Sequence, residues 1–184
     1  MLVILGNQLF PLRYLPPPDA APVFMAEDVG LCTYEQHHQQ KIVLFLAAMR
    51  AYADKLREAG YDVHYVELDT SDISAYEDKL AKVLEQCGSE KLVHFEIEDK
   101  AMEQRIIEFA DTGNLEREEL ASPMFTCSRE RFSKFAAGKR RLLMADFYKQ
   151  QRRRLDILID DDGEPAGGRW SFDADNRKKL PRNI

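Results

Sequence analysis

Nowhere do the 184 residues hold an apolar run near the roughly 18 positions that crossing a bilayer requires. The opening MLVILGNQLF lacks both the basic flank and the apolar length of a secretory leader, and reads instead as an immediate first strand. Cysteine is scarce. Cys32, Cys87 and Cys127 are far apart, odd in number and without a C-x-x-C pair, which leaves no disulfide framework and no ligand set for a structural zinc or an iron–sulfur cluster. Three free thiols fit a reducing cytoplasm. Neither G-x-G-x-x-G nor a P-loop is present, so no dinucleotide fingerprint or triphosphate cradle is supported. Basic charge is also short. Residues 1–138 carry 14 Lys and Arg against 24 Asp and Glu, or −10, while 139–184 carry 12 against 8, or +4, for −6 overall. An acidic body repels a phosphate backbone, so the main domain is a poor nucleic-acid binder by itself.

What is present alternates. LVIL (2–5), PVFMA (22–26), DVHYVEL (62–68) and KLVHFEI (91–97) are short apolar runs bounded by turn residues, and NLEREELAS (114–122) is a more polar fifth strand. GNQLFPLRYLPPPDAA, with four prolines, is a loop with at most one helical turn. Ile42, Phe45, Leu46, Met49, Tyr52, Ala53 and Leu56 recur at helical spacing up to a stop at Gly60. Further helices are expected at SAYEDKLAKVLEQCG, ending at Gly88, at Lys100–Ala110, ended by Gly113, and at SRERFSKFAAG and LMADFYKQQRRRLDILI. Strands alternating with helices imply a doubly wound α/β fold. The expectation is a Rossmann-like five-stranded parallel sheet in the order 3-2-1-4-5, helices on both faces, over residues 1–138. Residues 139–184 read as a helix followed by a polar linker. In such sheets ligands gather outside the carboxyl ends of the strands, where the winding reverses. Those ends are Gly6, Asn7 and Gln8 after the first strand, and Glu27 with the loop to Thr33 after the second.

TYEQHHQQKIVLFLAAMR (33–50) carries adjacent histidines. Thr33 and Gln36 match a capping box, which starts the helix at Tyr34 and puts His37 and His38 in its first turns. Adjacent helical residues diverge by about 100°, so the pair does not grip one metal as an i, i+4 pair does. Two readings stay open. One histidine is solvated and the other hydrogen-bonded near the helix start; or Tyr34, His38 and Lys41 form a polar stripe beside the strand-end crevice, suited to a flat heterocycle. Gly6 either ends a strand in an ordinary turn or lets a ligand approach the backbone. The bases of KRRLLMADFYKQQRRRLDIL form a solvated helix face or, less simply, meet phosphate. GGRWSFDADNR (167–177) concentrates the lone Trp with hydrogen-bonding groups and reads as a segment that docks on something.

Three stretches, LVILGNQL, MAEDVGLCTYEQHHQQKI…AAMR and GGRWSFDADNRKKLP, together resemble the amino-terminal domain of the bacterial photolyase-related proteins, the iron–sulfur cryptochromes and prokaryotic (6-4) photolyases. The resemblance implies an antenna domain over 1–138. An interdomain linker then leads to a helical domain that holds FAD, a 4Fe–4S cluster and the DNA lesion pocket and lies beyond these residues. Intact members repair (6-4) photoproducts with blue light or signal as cryptochromes. The antenna domain can hold 6,7-dimethyl-8-ribityllumazine, and the matching positions here are Gly6, Asn7, Gln8, Leu9, Glu27, Tyr34, His38 and Lys41. Partners implied are the pigment, the flavin domain of the same protein and, through the intact protein only, DNA; no membrane is implied, and this chain alone is expected to be inactive in repair. Asn7 and Leu31 stand where family members often have carboxylates. Two rival readings are an adenylate-binding α/β domain using the same crevice, and an interaction module whose pocket is vestigial.

Overall fold

The computed structural model describes residues 1–173, 177 and 179. They form two compact units, Met1–Thr126 and a second from Cys127 onward. The first unit contains the sheet. Its strands are β1 (Leu2–Val3), β2 (Val23–Ala26), β3 (Val63–Val66), β4 (Lys91–Phe95) and β5 (Glu116–Leu120). All neighbours run parallel, in the order β3-β2-β1-β4-β5. The expected topology is therefore the observed one. The winding starts at β1, proceeds outward through β2 and β3, then reverses to β4, so the switch point lies between β1 and β4.

Burial explains the strand sequences. The central strands β1 and β2 are buried at every residue, which is why they are uniformly apolar. β5 is an edge strand with four exposed residues in five. Its polar sequence suits that place: Lys91 Nζ bridges Glu116 and Glu118 at 2.9 and 2.8 Å, and charge along an edge discourages pairing with other chains.

Among the described residues are six helices and a 3-10 turn (Leu12–Tyr14): α1 (Val29–Thr33), α2 (Gln39–Glu58), α3 (Tyr76–Cys87) and α4 (Lys100–Thr112) and, in the second unit, α5 (Arg129–Ala136) and α6 (Met144–Leu155). α3 and α4 cover one sheet face, placing Leu80, Val83, Ile106 and Ala110 against Val3, Phe24 and Leu92. α2 covers the other, placing Met49, Tyr52, Ala53 and Leu56 against Leu2, Ile4, Val23 and Met25. Burial along α2 is uneven. Its four buried residues all lie between Met49 and Leu56, whereas Val43 and Leu44 are 66% and 69% exposed.

The start of α2 corrects the sequence reading. Thr33 is not an N-cap; it ends the short helix α1, and its hydroxyl donates to the Val29 carbonyl at 2.7 Å. α1 is capped by Asp28, whose carboxylate accepts from Leu31 N. The chain then leaves helical geometry, and α2 begins five residues later than expected, with His38 as N-cap and its Nδ1 accepting from Gln40 N at 3.2 Å. Tyr34, His38 and Lys41 consequently do not form one helical stripe. His38→Ala is expected to cost about 0.5–1 kcal/mol and His38→Ser to restore it, as read by chemical unfolding. α4 runs two residues past Ala110 and ends at its C-cap Gly113 as expected, with Asn114 beyond it in the left-handed region (φ 49°).

In the second unit Phe132, Phe135 and Phe147 form an aromatic cluster between α5 and α6. Arg152, 5% exposed, donates to the carbonyls of Ile157, Leu158 and Trp170, so the bases of α6 are not all solvated. Helix α6 stops at Leu155, where Asp156 turns left-handed, and the expected continuation to Ile159 is not helical. The Gly-rich segment docks on its own unit: Arg153 lies over the Trp170 ring at 4.4 Å. The remainder of that motif, 174–176, 178 and 180–184, lies outside the described residues.

Candidate functional site

A cavity of about 430 Å³ opens at the carboxyl end of the sheet, in the size range of small-molecule sites. Its wall is built from the residues that follow β1, β2 and β4, closed on one side by α1 and the first turns of α2, and on the other by the starts of α3 and α4. It therefore spans the switch point. Most of its surface is apolar, from Leu5, Leu31, Ile42, Phe45, Leu46 and Met102.

Of the expected site residues, Gly6, Asn7, Glu27, Tyr34 and Lys41 border this cavity. Gly6 sits where a Cβ would stand 2.7 Å from Met49 Sδ and 3.4 Å from the Phe45 ring, so its smallness lets α2 close over the end of β1. Tyr34 and His37 meet edge to face with ring centroids 5.3 Å apart, and Lys41 Nζ is 3.4 Å from His37 Nδ1. These three make an aromatic and cationic cluster at the mouth. His37, not His38, is the histidine brought to the cavity.

Gln8, Leu9 and His38 are not part of the wall. Gln8 is fully buried and donates to the Glu96 carbonyl at 2.8 Å and to Glu98 at 3.3 Å, tying the β1 loop to the end of β4. Leu9 packs into the core under α2. Glu27 borders the cavity, yet its carboxylate is spoken for. Oε1 accepts from Arg50 Nε and the Tyr65 hydroxyl, both at 2.6 Å, and Oε2 from Arg50 Nη2 and Leu68 N, both at 2.8 Å. Burial would raise this carboxyl, but those donors outweigh it and hold it below the ordinary range. Its neighbour Asp28 is engaged too, receiving Lys79 Nζ at 2.9 Å beside its cap to Leu31.

Sequence reasoning missed the far wall. Tyr76, Asp99 and Arg105, at the starts of α3 and α4, line the cavity. The signal is present in the sequence, since each helix follows the carboxyl end of a strand. Arg105 is paired bidentately with Glu77 at 2.6 and 2.7 Å, and Asp99 caps α4 through Met102 N. Among the described residues no group of three or more His, Cys, Asp or Glu side chains is placed to hold a metal, and no helix is long and apolar enough to cross a membrane.

An apolar cavity at the winding reversal of a parallel sheet, with the carboxylates of Glu27 and Asp28 paired inside the fold, is a feature of the doubly wound α/β class. The chain belongs to the deoxyribodipyrimidine photo-lyase-related proteins, whose family model matches residues 2–184. It is 29% identical over 182 residues to the (6-4) photolyase of Agrobacterium fabrum (strain C58), covering 97% of this chain but 36% of that protein. It is also 30% identical over 192 residues to the uncharacterized protein R852 of Acanthamoeba polyphaga mimivirus, covering 99% of this chain and 95% of that one. The chain thus spans little more than a third of the bacterial relative's length and nearly all of the viral one's.

Proposed function

We propose that the wound unit is an antenna module. Its cavity holds a flat pigment of the 6,7-dimethyl-8-ribityllumazine type, and excitation passes to FAD held by a flavin domain of a photolyase or cryptochrome. The observation that carries this reading is the cavity itself: slot-shaped, largely apolar, at the switch point, and with an aromatic, an imidazole and an ammonium at its mouth. The donor set fits such a pigment. The ring system is covered by Leu31, Phe45 and Leu46, while Lys41, beside His37, and the amide of Asn7 are the polar groups that meet hydroxyls or ring oxygens. When bound, the pigment supplies light absorption, and the protein supplies orientation, distance and exclusion of water. DNA repair or signalling, a 4Fe–4S cluster and DNA contact are proposed only for the assembly that includes the flavin domain.

Titration of the purified chain with 6,7-dimethyl-8-ribityllumazine, followed by pigment fluorescence anisotropy, tests this. Saturable binding is expected, weakened roughly tenfold by Lys41→Ala and untouched by ATP. Binding of ATP in preference to the pigment, or no pigment binding at all, would overturn it.

A further inference from the structure

One polar atom at the cavity is unexplained. Tyr76, the first residue of α3, is 2% exposed and lines the cavity, yet its hydroxyl has no hydrogen-bond partner. Buried hydroxyls are nearly always satisfied, because leaving one bare sacrifices the hydration it had in the unfolded chain. The charged neighbours do not relieve it. Asp28 is engaged by Leu31 N and Lys79, and Glu77 holds Arg105 with both carboxylate oxygens. Arg105 is itself a donor. Both neighbouring carboxylates are thus engaged elsewhere, and Tyr76 is among the residues that line the cavity. Its ring packs edge to face on Phe24 with centroids 5.6 Å apart.

We infer that Tyr76 is a specificity residue of this site, donating its hydroxyl proton to a carbonyl oxygen or ring nitrogen on the buried edge of the ligand. The ligand class is then a planar heteroaromatic of two or three fused rings with an acceptor on its leading edge, as in pteridine-diones and isoalloxazines, rather than an all-carbon ring system. Burial and the nearby Glu77 and Asp28 charges push the Tyr76 phenol well above its ordinary range, so it stays a donor throughout neutral pH. This inference rests on the cavity being a pigment site, but it concerns the ligand's edge and not its ribityl chain.

Tyr76→Phe separates the possibilities. Without ligand, the variant is expected to melt about 2–4 °C higher than the parent, since it loses a bare polar atom. It should nevertheless bind 6,7-dimethyl-8-ribityllumazine about tenfold more weakly. Higher melting with unchanged affinity would overturn the inference while leaving the antenna reading intact. Riboflavin and unsubstituted pteridine-2,4-dione are titrated in parallel. If either binds in a Tyr76-dependent way while the ribityllumazine does not, the antenna reading fails and the edge rule stands. If none of the three binds, both fail.

Discussion

Glu27→Ala is expected to lower the stability of the wound unit by about 3 kcal/mol, measured by urea unfolding. The carboxylate has no exposed surface and ties three elements together: Arg50 on α2, Tyr65 on β3 and the backbone of Leu68 beyond it. Truncation leaves a half-buried phenol and a backbone N–H without their acceptor, whereas Arg50, half exposed, recovers part of its hydration. The pH dependence has a definite sign. A carboxyl held below its unfolded value contributes stability that is complete above the unfolded value and is lost as pH falls through the folded one. The parent should therefore lose stability on acidification more steeply than the alanine variant, and parallel acid limbs would disprove the assignment.

Lys79→Met is expected to cost a similar amount, about 3 kcal/mol, for the opposite reason. Lys79 and Asp28 are 7% and 4% exposed, so removing the ammonium strands a carboxylate beside the cavity. The double variant Asp28→Asn with Lys79→Met should return to within about 1 kcal/mol of the parent. Asparagine still accepts from Leu31 N as the cap of α1 and needs no counterion. A double variant no more stable than Lys79→Met alone would show that the ammonium's bond to the Glu27 carbonyl, at 3.3 Å, matters more than the ion pair.

The fold was largely legible, and the site only partly. The uniformly apolar runs at β1 and β2 and the helix-spaced residues from Met49 to Leu56 name the two sides of one packing contact, so pattern and burial agree there. The strands are nevertheless shorter than their apolar runs. Ile4, Leu5 and Ile97 are buried because they continue into the cavity wall and core after the ladder ends, and hydrophobicity reports burial, not pairing. The helix start was misread because Thr33-x-x-Gln36 satisfies the capping pattern, while Asp28 had already capped a five-residue helix that consumes Thr33. A histidine is an uncommon cap, so the true start carried the weaker local signal. Tyr76 was hidden for another reason: its role depends on which neighbouring acceptors are already engaged, and only coordinates reveal that.

The uneven anchoring of α2 has a mechanical consequence. From Met49 to Leu56 the helix is bolted to the sheet, while its first turns rest on Ile42, Leu46 and the Phe45 ring, none of them buried, with Val43 and Leu44 turned to solvent. It behaves as a cantilever whose free end carries Lys41 and Phe45. Segments so lightly held open locally at far lower cost than the whole domain unfolds. For the proposed pigment, no dedicated lid is then needed, because the outer wall is itself the compliant end of a beam clamped at its far side.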